Sequence, residues 1–165
     1  MAMTTMRDVQ YYVDTTPLLN DPEALRQRAR QDGCLFFEGL LPQSDVLDVR
    51  QQVLDVCARH GWLAQDNDLM EGIVQAERTV IESSDPRWKS FYCDVLKLRA
   101  FHALALHRAI IDALSVLFGE AVLPHSRNIC RAMFPQTQMH STPPHQDYFY
   151  IGGSDETWTA WIPLG

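Results

Sequence analysis

Helix punctuation constrains this chain most. Asp21-Pro22 and Asp85-Pro86 each place a capping carboxylate before a proline, whose fixed φ and missing N–H suit the first helical position. Gly33 and Gly119 are matching stops, because glycine adopts the left-handed conformation that ends a helix. From Asp21 to Gly33, Leu25 and Ala29 share a face while Arg26, Arg28 and Arg30 face solvent. Pro42 and Ser44 open a second helix, with Ser44 as cap and Asp45 and Asp48 at its positive end. Val46, Val49, Val53, Leu54, Val56 and Cys57 form its apolar side, and His60-Gly61 closes it, His60 serving as an end charge. After Asp85-Pro86, Phe91, Val95 and Leu98 line one face. A further helix is predicted from about Ala100 to Phe118, with a stripe of Phe101, Leu104, Ile111, Leu114, Leu117 and Phe118. His102 and His107 lie five apart, which is not ligand spacing on a helix, and both are read as structural or exposed.

Beyond Pro124 the pattern changes. Asn128 to Phe134 alternates, with Ile129, Arg131 and Met133 on one face and Cys130, Ala132 and Phe134 on the other, as a strand does. Pro135 to Pro144 reads as a loop and His145 to Tyr150 as a strand. Gly152-Gly153-Ser154-Asp155 is a turn, and Thr157 to Ile162 a last strand. Upstream, Cys34 to Phe37 reads as a short buried strand, Tyr11-Tyr12-Val13 as extended, and Gly72 to Gln75 as a possible strand. Asp66-Asn67-Asp68 is a solvated turn, since it lacks the glycine and distal Glu of a Ca²⁺ loop. Helices first and strands last make the expected class α+β: one domain, helical over about residues 20–119 and β over about 121–165.

The candidate chemistry lies in the strand around Gln146. On a strand, His145 and Asp147 point to one face, presenting an imidazole nitrogen beside a carboxylate. These are two of the three donors of a 2-His-1-carboxylate Fe(II) site. A His-x-Asp triplet alone is weak: with 6 His in the chain, chance supplies one in about half of such chains. A surface His and a turn-forming Asp remain the plain alternative. His140 is the fallback third ligand, in a cramped arrangement.

Context extends the reading. Pro144-His145-Gln146-Asp147-Tyr148, then a loop, then Thr159-Ala160-Trp161-Ile162-Pro163-Leu164, resembles the metal-binding segment of the phytanoyl-CoA dioxygenase family. Asp32-Gly33-Cys34-Leu35-Phe36-Phe37 resembles that family's N-terminal entry. The resemblance implies helices packed on a partial double-stranded β-helix, a cupin-like jelly roll. It also implies an Fe(II)- and 2-oxoglutarate-dependent oxygenase using O₂ on a small organic or acyl substrate. His145 and Asp147 would hold iron, Trp161 would lie beside the cosubstrate, and Cys130 would line its pocket. Asp147 favours oxygen insertion over halogenation, since related halogenases lose the acidic ligand. The chain departs from the family in one respect: no His follows His145 and no Arg follows Arg131, whereas the family's second His and cosubstrate-binding Arg lie downstream. The expectation is therefore a fragment with its C-terminal strands missing, inactive alone. A non-catalytic cupin-like or interaction module, with an incidental His-x-Asp, is the rival reading.

The totals narrow the partners. A net charge of −7 argues against nucleic acid and anionic membrane. No apolar run is read as reaching the roughly 18 residues of a membrane span. The first residues lack an apolar signal core, and Cys34, Cys57, Cys93 and Cys130 are scattered without a Cys-x-x-Cys pair. Reduced thiols and a cytoplasmic location are expected. Nothing in the sequence specifies an oligomeric state.

Overall fold

The structure, a computed structural model, describes residues 11–75, 85–134, 145–154 and 156–165. Its helices are α1 (Pro22–Asp32), α2 (Gln43–Arg59), α3 (Pro86–Val95), α4 (Arg99–Ala105), α5 (Arg108–Phe118) and α6 (Tyr148–Ile151), with 3₁₀ turns at Thr16–Asn20 and Leu69–Glu71. The chain divides into two compact units, one from Met1–Pro42 with His107–Pro124, the other from Gln43–Leu106 with His125–Gly165.

In the first unit, α1 starts where Asp21 accepts a hydrogen bond from the Ala24 N–H and ends at left-handed Gly33. Its buried Leu25 and Ala29 belong to the same unit as Ile110, Ala113 and Leu117, the buried face of α5. The Arg26 guanidinium donates to the Leu117 and Val116 carbonyls at 2.9 Å each. These are last-turn carbonyls of α5 without an intrahelical partner, so α1 caps α5 with a side chain. Gly119 ends α5 at φ 79°, and a Cβ there would lie 2.9 Å from the Arg26 guanidinium. The left-handed conformation favours glycine, and a larger residue would also push the Arg26 guanidinium from its place. Buried Thr15 is bound to the Phe36 carbonyl through both its N–H (2.7 Å) and its hydroxyl (2.6 Å). Asp14 accepts from Thr16 and from the Glu38 N–H, which holds its carboxyl below the usual range, Thr16 contributing most.

The second unit is built on α2, which packs against α3, α4 and the Leu69–Glu71 turn. Its core is aromatic: Trp62 and Phe91 are fully buried, with ring centroids 4.4 Å apart, and Trp88 stacks on Trp62. Phe134 meets Trp62 edge-on at 5.3 Å. Arg50 reaches out of α2 to the Met70 carbonyl (2.7 Å) and the Leu164 carbonyl (2.6 Å), fastening two irregular segments to one helix. His60 is hydrogen-bonded to Asp94 (3.0 Å), which Lys97 also pairs (2.8 Å).

The α+β expectation is overturned. Among the described residues there is no β-strand, and hence no partial double-stranded β-helix. Cys34 to Phe37 makes one parallel bridge, Phe36 to Asp14, and Gly72 to Gln75 one antiparallel bridge, Val74 to Leu63. Asn128 to Phe134 and Thr157 to Ile162 are irregular, and His145 to Tyr150 leads into α6. Alternating side chains make a strand only when a neighbour supplies the hydrogen-bond ladder, and among the described residues Asn128 to Phe134 and Thr157 to Ile162 have none. With no sheet to cover, the helical stripes pack on other helices.

Two helix expectations also change. α2 begins at Gln43, so Ser44 lies inside the first turn, its hydroxyl bound to Asp45 at 3.0 Å. The helix expected from Ala100 to Phe118 is two: Leu106 ends α4, and His107 caps α5 by accepting from the Ala109 N–H at 3.1 Å. The run Arg99–Phe118, in which an 18-residue window has a mean hydropathy of 1.4, is by length and composition alone sufficient to cross a membrane, contrary to the sequence reading. In the folded chain it is interrupted at His107, and one side of α5 is buried in the first unit.

Candidate metal site

The site is formed by one turn. Asp147 has helical φ and ψ (−61°, −29°), and its carbonyl accepts from the Tyr150 and Ile151 N–H groups at 2.9 and 3.0 Å. Gly152, at φ 72°, ends the turn. The segment thus satisfies its backbone locally, needing no partner strand. His145 and Asp147 still meet: Nε2 lies 3.2 Å from Oδ1, and the two side chains are 33% and 34% exposed. The proximity comes from the turn, not from strand alternation. Tyr150 packs edge-on against the His145 ring at 5.7 Å, bracing it from the C-terminal side.

The other Asp147 oxygen, Oδ2, accepts a hydrogen bond from the Thr159 hydroxyl. This bond most strongly holds the Asp147 carboxyl below its ordinary range, helped by His145 and by the charge of Arg131 against partial desolvation. The group is a carboxylate throughout the neutral range, the form a cation requires. An open depression of about 480 Å³ lies against His145, Gln146, Phe149 and Tyr150. Phe149 and Tyr150 are 80% and 73% exposed there, an apolar wall beside the polar pair.

The donor set fits a divalent first-row metal in part. One imidazole nitrogen and one carboxylate oxygen, reachable from solvent and converging, are the right chemistry for two of three protein ligands. Among the described residues no cluster of three or more His, Cys, Asp or Glu side chains could hold a metal. His140, the fallback ligand, lies outside the described residues, as does the loop Pro135 to Pro144.

The remaining residues singled out from sequence lie apart from the pair. Trp161 is 69% exposed and is not among the residues lining the depression. Cys130 is buried in the second unit. Burial pushes the Cys57 thiol up to about 12, with Cys130 adding to the effect. His102 is structural: its Nε2 donates to the Leu96 carbonyl (2.9 Å), leaving Nδ1 to accept from the Asn128 amide (3.1 Å). Thr159 is the site residue that sequence reasoning missed. It lies 12 residues from Asp147, a separation that no helical or strand period marks.

No family model matches the chain, and no solved structure matches it closely enough to count. Curated proteins do match. The chain is 30% identical over 157 residues to a 1-deoxypentalenic acid 11-beta-hydroxylase from Streptomyces arenae, covering 93% of this chain and 52% of that protein. It is 28% identical over 158 residues to the protein of the same name from Streptomyces exfoliatus, with the same coverage. The chain thus spans about half the length of the curated relatives it matches, and across nearly all of its own length it is similar to bacterial hydroxylases.

Proposed function

We propose that this chain supplies two metal-binding groups, His145 and Asp147, to an Fe(II)- and 2-oxoglutarate-dependent oxygenase that hydroxylates a small organic acid. The observation that carries the reading is the 3.2 Å approach of His145 Nε2 to Asp147 Oδ1, within a chain similar to hydroxylases over 93% of its length. The substrate class rests on the relatives' printed name and on the aromatic wall of Phe149 and Tyr150. In this reading the third protein ligand and the anchor for the cosubstrate carboxylate come from outside the described residues.

When bound, Fe(II) would activate O₂, the oxidant, with decarboxylation of 2-oxoglutarate to succinate and CO₂ supplying two electrons and the substrate C–H bond the other two, so that one oxygen atom enters succinate and the other the substrate. The chain's own residues do simpler work. His145 presents a ring nitrogen beside the carboxylate, with the edge of Tyr150 packed against its ring. Asp147 supplies negative charge on the same side. Phe149 and Tyr150 offer a surface on which an apolar substrate displaces water and is oriented.

The test is Fe(II)-dependent succinate formation from 2-oxoglutarate by the full-length protein. Asp147→Ala is expected to lower it by about 100-fold or more, the cost of losing a metal ligand exceeding the 10–100-fold cost of losing a ligand's supporting partner. Equal rates in the variant and the parent would remove Asp147 from the metal. They would favour the rival reading, an interaction module that uses exposed Phe149, Tyr150 and Trp161.

A further inference from the structure

We propose that Thr159 is a positioning residue that commits Asp147 to binding the metal through one oxygen, Oδ1. The inference rests on the metal-site reading above and deepens it. A carboxylate offers a cation either one oxygen or both, and the choice alters the site. In a six-coordinate ion with three protein ligands, a chelating carboxylate occupies a fourth position that a cosubstrate or O₂ would otherwise take. A single-oxygen carboxylate leaves three positions open.

In this protein the two oxygens of Asp147 are not equivalent. Oδ1 faces His145 Nε2 at 3.2 Å. Oδ2 is engaged by the Thr159 hydroxyl. Thr159 reaches it from a segment that folds back after the turn at Ser154, where the Thr157 hydroxyl donates to the Ser154 carbonyl at 2.7 Å and the Glu156 N–H to the Ser154 hydroxyl at 3.1 Å. The carboxylate is thus held at both ends, by a turn through Asp147 and by a hydroxyl on the returning segment. Its free direction is the one it shares with the imidazole. Thr159 lies at an exposed position, where water competes for the same oxygen, so the expected effect sits at the low end of the range for groups that support a ligand.

The experiment is a titration of the full-length protein with Co(II), a spectroscopic stand-in for Fe(II), followed by visible absorption. It needs no turnover. Thr159→Val keeps the shape and removes the donor, while Thr159→Ser keeps the donor. Expected results are about 10-fold weaker Co(II) binding in Thr159→Val, with a shifted visible band as the freed carboxylate chelates and displaces a bound water. Thr159→Ser should restore the parent affinity and band. Asp147→Ala serves as the control for the site itself. If it abolishes binding while Thr159→Val leaves affinity and band unchanged, the role of Thr159 is overturned and the metal site stands. A Thr159→Ser variant as impaired as Thr159→Val overturns the donor role as well. Unchanged Co(II) binding in Asp147→Ala overturns the metal reading beneath it. Equal urea midpoints across the set assign any loss to the site and not to unfolding.

Discussion

Cys57 shows how position in the core changes the chemistry of a single side chain. It is 6% exposed on the buried face of α2, and burial, with Cys130 nearby, raises its thiol from 9.0 to about 12. A raised folded-state value means that folding favours the neutral thiol. The stability this contributes is whole below pH 9 and is lost as pH climbs towards 12, where the unfolded chain ionises and the folded one resists. The urea midpoint should therefore fall from about pH 8 to about pH 10.5, and fall less in Cys57→Ala, where Tyr and Lys titration remains but this thiol is gone. Residue-level reading from sequence fared unevenly for a related reason. His145 and Asp147 do meet, but through a helical turn and not through the strand alternation from which their meeting was expected, since two residues so close along the chain meet in more than one backbone conformation. The partner of Asp147 was not legible, because Thr159 reaches it only after the chain has turned back.

At the scale of elements, what was legible was whatever the chain settles with its near neighbours. Asp21 accepts from Ala24, Asp85 from Arg87, and Gly33 and Gly119 turn left-handed where the helices stop; each is a contact across a few residues. Asp21→Ala should cost about 1 kcal/mol, the usual worth of such a cap, read as a lower urea midpoint with unchanged slope. The strand assignments failed because a strand is a relation between two segments. Asn128 to Phe134 has the alternation without the ladder, and Tyr148–Ile151 closes its hydrogen bonds on itself. The break between α4 and α5 was missed because the apolar stripe runs straight through it. The signal was present in His107, whose ring nitrogen caps the Ala109 N–H, a role associated more often with Asp, Asn, Ser or Thr.

For the whole molecule, the division into two units follows the chain only loosely. The first unit takes its residues from the N-terminal stretch and from α5, while α2, α3 and α4, which lie between them in sequence, belong to the second. Arg26 joins the two pieces of the first unit, its guanidinium bonded to the Leu117 carbonyl 91 residues further along the chain. Arg26→Met keeps most of the aliphatic stem and strips both bonds from the end of α5. It should lower stability by about 2 kcal/mol, the scale of hydrogen bonds from a charged donor, with hydrogen exchange speeding first in the last turn of α5. That long reach also sets an order of events at the ribosome. With synthesis at about 5–20 residues per second, α1 emerges on the order of 5–20 seconds before the carbonyls it will cap. During that interval the Leu25 face has no α5 to meet, so α1 waits for its partner while α2, α3 and α4, which belong to the other unit, are still being made.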